Sequence, residues 1–295
     1  MQTTYTKGEN TSFVYSRTNK ENKLYYYPEL GNNGRFGNQM FQYATVFSLA
    51  KANDTEAVVP EPKESSDRNY NHIHLYDAFP NLTATKMLKD EMDPKYSYVS
   101  KEGVDFNFEP GLMVAKDGCS INGYFQSEMY FDRFSNDIRK EFSFRPDIIE
   151  YSKKEYLRLK SESGGANICA VHFRRGDYTK LGHVHTNLGS EYYNQAISWM
   201  VSNIEGCKFV AFSDDIAWCK KNLPQGFLFA ETPSMFHDMS LMSMCDSHII
   251  ANSSFSWWAA WLSDSTKQVI APQAWFGPQG PKSWDTIYAS GWGII

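Results

Sequence analysis

The octapeptide Val171-His172-Phe173-Arg174-Arg175-Gly176-Asp177-Tyr178 sets two adjacent arginines directly after the apolar run Ile168-Cys169-Ala170. A guanidinium is costly to bury, two side by side repel, and the planar fork fits phosphate oxygens in pairs. At the end of a buried strand such a pair asks for an anion. The plainer reading is a surface ion pair with Asp177. Two further polar groups follow apolar runs in the same half of the chain: Ser213-Asp214-Asp215, and Asn252-Ser253-Ser254-Phe255-Ser256 ahead of Trp257-Trp258. Taken singly, Asp214 or Asp215 reads equally well as the cap of the next helix, Ser253 and Ser254 read as caps, and the tryptophans read as core. Taken together they make a nucleoside diphosphate site. Arginines and a hydroxyl-rich helix start hold phosphates, and an aspartate can accept from N1–H and N2–H₂ of guanine.

A fourth element lies near the start. The turn Gly31-Asn32-Asn33-Gly34-Arg35-Phe36-Gly37 separates a segment that reads as a strand, Lys23 to Tyr27, from a helical pattern over about 38–52. A glycine turn between strand and helix is an anion cradle. Its spacing is GxxGxxG rather than the dinucleotide GxGxxG, with Asp54 further on, so a dehydrogenase stays an alternative. That class has no use for the arginine pair.

These groups need a scaffold that brings distant strand ends together. Strands read at 168–173, 209–213, 227–230, 248–251 and 268–271, with helical stretches near 190–204, 214–222, 235–245 and 255–263 between them. Alternating strand and helix implies a parallel sheet covered on both faces, with its carboxyl ends on one edge. Before Gly164-Gly165 the pattern is looser: 60–118 has no clear order, 121–126 reads as a short strand, and 135–142 and 147–161 read as helices. The expected division is a polar extension over 1–22, one domain over 23–162 and a second over 163–295.

Composition narrows the partners. The net charge of −5 and the lack of a basic run argue against nucleic acid. The five scattered cysteines show no CxxC, which reads as free thiols in a reducing, cytoplasmic compartment. The seven histidines form no zinc spacing, so no metal is expected. There is no signal-like start and no apolar run of membrane length.

Gly34-Arg35-Phe36-Gly37-Asn38-Gln39-Met40-Phe41-Gln42-Tyr43-Ala44, Asn122-Gly123-Tyr124-Phe125-Gln126-Ser127 with Tyr130-Phe131, His172 through Tyr178, Glu191-Tyr192-Tyr193-Asn194-Gln195-Ala196-Ile197, Cys245-Asp246 with Ile249 through Leu262, and Val269-Ile270-Ala271-Pro272 with Trp275-Phe276 come in a telling order. Together they resemble the α-1,2-fucosyltransferases of glycosyltransferase family 11; Gly34-Arg35-Phe36-Gly37 also resembles the protein O-fucosyltransferases. The resemblance covers about residues 24–277. It implies an α/β, GT-B-like fold of two Rossmann-like domains with the active site in the cleft between them. It implies GDP-β-L-fucose as donor, a glycan acceptor, inversion at the anomeric carbon, and no metal or other cofactor. By the same resemblance Arg174, Arg175 and Asp177 carry the chemistry. Gly37, Asn38, His172, Asp214, Ser254, Phe255 and Ser256 join the arginines in holding the donor, with Asp214 reading guanine and His172 near the base or ribose, while Gln126 and Glu191 face the acceptor. Asp177 reads either as base or as the carboxylate orienting an arginine, and Glu191 is a second candidate base. A fucosyltransferase of another linkage and a non-catalytic glycan-binding module remain alternatives.

Overall fold

The computed structural model describes residues 24–62, 72–101, 106–176 and 182–295. Asp177 and Tyr178 therefore lie outside the described residues. Two parallel sheets carry the chain. In the first, Leu24–Tyr26 (β1) pairs on one side with Glu56–Pro60 (β2), which pairs with Thr85–Met87 (β3). On its other side β1 pairs with Cys119–Asn122 (β5), whose outer neighbour is Tyr96–Val99 (β4). The order β3-β2-β1-β5-β4 puts a reversal of direction between β1 and β5. In an open parallel sheet that is where ligands sit.

The second sheet has the order β11-β10-β9-β6-β7-β8. Its strands are Asn167–Phe173 (β6), Cys207–Ser213 (β7), Leu228–Phe229 (β8), Ser247–Ile249 (β9), Gln268–Ala271 (β10) and Gly293–Ile294 (β11). The reversal here lies between β6 and β9. Every residue of β6 pairs with β7, from Asn167 opposite Cys207 to Phe173 opposite Ser213. That register ends both strands at one level and so sets Arg174 beside Asp214. Alternation along β6 feeds two cores: Ile168 and Ala170 face one, and Cys169, Val171 and Phe173 face the other.

Helices link and cover these strands: Phe36–Ala52 (α1), Leu75–Ala78 (α2), Ser135–Glu141 (α3), Pro146–Glu162 (α4), Ser190–Asn203 (α5), Ile216–Asn222 (α6), Met235–Ser243 (α7) and Ser254–Trp261 (α8). Pro146 starts α4 where a missing N–H costs nothing. α4 docks on the second sheet's side. Lys160 Nζ meets Asp246 Oδ2 at 2.8 Å, and Tyr151 packs edge-on against His237 of α7. One continuous apolar core joins the two lobes through α1 and α8. Phe41 of α1 lies 4.5 Å and 4.8 Å, between ring centroids, from the fully buried Trp257 and Trp258. The tryptophans are therefore core, as their plainer reading had it. The five cysteines form no disulfide. No helix among the described residues is long and apolar enough to cross a membrane.

Candidate active site

Both reversal points open on one cleft of about 890 Å³. From the first lobe come the glycine turn after β1 and the segment after β5. From the second come the ends of β6, β7 and β9. Gly34 has φ +88°, which a side chain resists, and a Cβ there would overlap the Asn38 side chain. Gly37 answers a different need. A Cβ on it would lie 2.6 Å from the Ser254 carbonyl carbon and 2.7 Å from the Phe255 nitrogen. The first turns of α1 and α8 thus touch backbone to backbone. Neither first turn holds an acidic residue, and Gly37, Asn38, Ser254 and Phe255 all line the cleft. Two helix N-termini therefore present their positive ends to the same space. Asn38 bridges them: its Oδ1 accepts from Ser254 Oγ at 2.7 Å and from Gln126 Nε2 at 2.8 Å. Ser253 caps α8 by accepting from the Phe255 N–H.

The arginine pair divides its work. Arg174 lines the cleft, and its Nη1 donates to Asp214 Oδ2. The other oxygen, Oδ1, accepts the Arg175 N–H at 2.9 Å. Asp214 therefore organises the loop after β6 rather than capping α6; that cap is Asp215, which accepts from the Trp218 N–H at 3.1 Å. Arg175 is not among the residues lining the cleft. Its guanidinium carbon lies 3.6 Å from the centroid of the Trp218 ring. The sequence pointed to Asp177 as the carboxylate orienting an arginine; among the described residues Asp214 holds Arg174.

His172 is buried at the cleft wall, and its Nδ1 has no hydrogen-bond partner. Burial first, and Arg174 second, push its pKa down to about 3, so the ring is neutral at working pH. Sequence reasoning missed Asp238 of α7, which also lines the cleft. Burial raises its carboxyl to about 6, against the opposing effect of Thr232, whose Oγ1 lies 2.9 Å away. The available signal was a lone acid in the otherwise uncharged helix Met235–Ser243.

Ser256 and Glu191 are not brought to the cleft. The Ser256 hydroxyl is fully buried against the Ala251 and Ser253 carbonyls. Glu191 is exposed in the first turn of α5. The fold also gathers His72, His74 and Asp77, whose donor atoms lie within 4.8 Å of one another, a grouping not foreseen from histidine spacing. His72 Nε2 and Asp77 Oδ2 are 2.6 Å apart, and none of the three lines the cleft.

The sequence profile of glycosyl transferase family 11 matches residues 7–295. An α-1,2-colitosyltransferase of Escherichia coli is 32% identical over 85% of this chain and 93% of its own. Galactoside α-(1,2)-fucosyltransferase 1 of Saimiri boliviensis boliviensis is 27% identical over 81% of this chain and 66% of its own. Among solved structures, NodZ α-1,6-fucosyltransferase soaked with GDP-fucose superposes with a TM-score of 0.52 at 13% identity, covering 86% of this chain and 96% of that one. At that identity the likeness speaks for the fold, two Rossmann-like lobes around a cleft.

Proposed function

Because the chain belongs to glycosyltransferase family 11, and is therefore a glycosyltransferase, we propose that it moves L-fucose from GDP-β-L-fucose to the 2-hydroxyl of a galactose-terminated glycan, with inversion. The observation that carries the reading is the meeting of Arg174, Asp214 and the two helix N-termini at one cleft. Glycosyl transfer breaks the bond from the anomeric carbon to the β-phosphate, and negative charge grows on the departing diphosphate. Preorganised donors aimed at that charge lower the barrier. Arg174 supplies a fork already fixed by Asp214, and α1 and α8 supply backbone N–H groups that lack intrahelical acceptors. This donor set neutralises the diphosphate without a divalent cation.

Guanine is read by Asp238 rather than by Asp214, to which the sequence pointed. Asp214 has both oxygens engaged, one with Arg174 and one with the Arg175 N–H. Asp238 is the other carboxylate among the described lining residues. Ionised, it accepts from two adjacent guanine N–H groups; uracil offers no such pair. His172 donates or accepts at Nδ1 toward the nucleotide. Among the described lining residues Asp214 is engaged by Arg174 and the Arg175 N–H, and Asp238 by Thr232 and, in this reading, by guanine, so neither serves as the base for the attacking hydroxyl. That favours a dissociative transition state in which the proton leaves late, to Asp177 or to the departing phosphate.

A second reading concerns the donor sugar. The Escherichia coli relative is a colitosyltransferase, so a GDP-linked colitose is the competing donor. Incubation with each donor and a panel of galactose-terminated oligosaccharides, followed by NMR of the products, tests both. An α-1,2-fucosyl linkage supports the proposal. Transfer to another hydroxyl, or GDP-colitose as the far better substrate, overturns it in part.

A further inference from the structure

The cleft has a second set of lining residues that diphosphate binding leaves unused. Phe106, Tyr124 and Phe276 form an aromatic group: Phe106 stacks on Tyr124 at 5.8 Å between centroids and meets Phe276 at 4.9 Å. These residues come from segments far apart in sequence, and the chain goes to some length to fix them. The Phe106 N–H donates to the Ser283 carbonyl at 2.6 Å, and the Phe108 N–H to Thr286 Oγ1 at 2.6 Å. Asn107 closes the clasp from both sides, donating to Ser283 Oγ at 2.6 Å and accepting from the Thr286 N–H at 3.0 Å. The strap from Trp275 is also tied to the loop that follows the arginine pair. Gly277 N–H donates to the Val184 carbonyl at 2.8 Å, and Gln279 N–H to that of His183 at 2.7 Å. A Cβ on Gly277 would lie 2.6 Å from the Gly182 carbonyl oxygen, so the strap can lie this close only as glycine.

An aromatic wall of this kind does nothing for phosphates. It suits a pyranose, whose ring presents a face of C–H groups that packs on aromatic π-faces while its hydroxyls turn to polar neighbours. Gln126, in the same lining and hydrogen-bonded to Asn38, is such a neighbour. We infer that Phe106, Tyr124 and Phe276 are the acceptor subsite, taking the C–H face of the acceptor's terminal sugar, and that the strap over 275–286 sets which glycans fit. The inference rests on the reading of the cleft as a glycosyl-transfer site. It places acceptor recognition on the clasp between the lobes, away from Glu191.

The test separates this subsite from the donor site. Phe276→Leu and Tyr124→Leu keep apolar volume but remove the aromatic face, and Phe276→Tyr restores it. Transfer from GDP-fucose is measured on an array of galactose-terminated glycans, and GDP affinity by calorimetry. For the best wild-type acceptor the leucine variants raise KM roughly tenfold, leave GDP affinity unchanged, and reorder the array profile; Phe276→Tyr recovers KM. Unchanged KM and profile would make the wall purely structural and overturn the inference. Loss of GDP affinity in step with KM would place the guanine on the wall and also overturn it. Failure of the wild type to bind GDP at all would instead refute the donor reading beneath it.

Discussion

Gly37→Ala adds one methyl group at the point where the lobes touch. Its Cβ would stand 2.6–2.8 Å from three backbone atoms of Ser254 and Phe255, where ordinary contact begins at 3.4 Å. Backbone cannot swing aside as a side-chain end does, so the first turns of α1 and α8 must part by about 0.6–0.8 Å. The bond from Ser254 Oγ to Asn38 Oδ1, now 2.7 Å, then stretches to about 3.4 Å, the edge of hydrogen bonding. Overpacking of this kind costs about 1–3 kcal/mol of stability, which the shared core of Phe41, Trp257 and Trp258 is placed to absorb. The catalytic cost is larger, because a shift near 1 Å in a transition-state site is worth on the order of 10²-fold. Steady-state kinetics with GDP-fucose, alongside a thermal melt, reads both. The expected result is a folded variant with kcat/KM down on the order of 10²-fold. A folded variant within about threefold of wild type would refute the claim that the two helix N-termini act as one preorganised anion site.

Asp238→Asn weakens GDP far more than UDP by calorimetry, whereas Asp214→Asn, by loosening Arg174, weakens both. Because the Asp238 carboxyl titrates near 6, GDP affinity of the wild type rises with pH through that value, and Asp238→Asn abolishes the step; a flat profile would move guanine recognition elsewhere. The same raised pKa penalises the charged form in the fold, so the unliganded protein loses stability as pH climbs from 3.8 to about 6. Phe41→Ala removes the ring packed against Trp257 and Trp258 and lowers unfolding free energy by about 3–5 kcal/mol in denaturant titration; a cost below 1 kcal/mol would mean the lobes do not share a core. Activity in excess EDTA equals activity without it; loss restored by Mg²⁺ or Mn²⁺ would contradict charge neutralisation by Arg174 and helix ends alone.

The second sheet was legible because its inner strands are buried on both faces and appear as continuous apolar runs such as Ile168–Val171. Of the first sheet, β1 and β5 were legible as the strands at Lys23 to Tyr27 and 121–126, but the edge strands were not, since they leave no such trace. Thr85–Met87 has no fully buried residue, and Tyr96–Val99 is mostly exposed. Each is held by backbone pairing with one neighbour, β2 or β5, whose position only the folded chain supplies. Within the site, Arg174, Asp214 and Ser254 were legible because each directly follows a strand or opens the next helix. Their partners were not. The register of β6 on β7, rather than proximity in sequence, makes Asp214 the carboxylate beside Arg174. Asp238 and the aromatic wall escaped for the same reason: a helix face and a C-terminal strap reach the cleft only through tertiary packing.

Arg174 carries the charge of the departing diphosphate in this reading of the cleft, and Arg174→Lys is its sharpest probe, since it keeps the charge and removes the fork. The measurement is kcat with saturating GDP-fucose, read beside the melting temperature. The expected result is a fall in kcat on the order of 10²–10³-fold with the melting temperature nearly unchanged, because Arg174 lies past the end of β6 and outside both apolar cores. A large drop in melting temperature with near-normal kcat in the folded fraction would make the Arg174–Asp214 pair a structural tie and contradict the account.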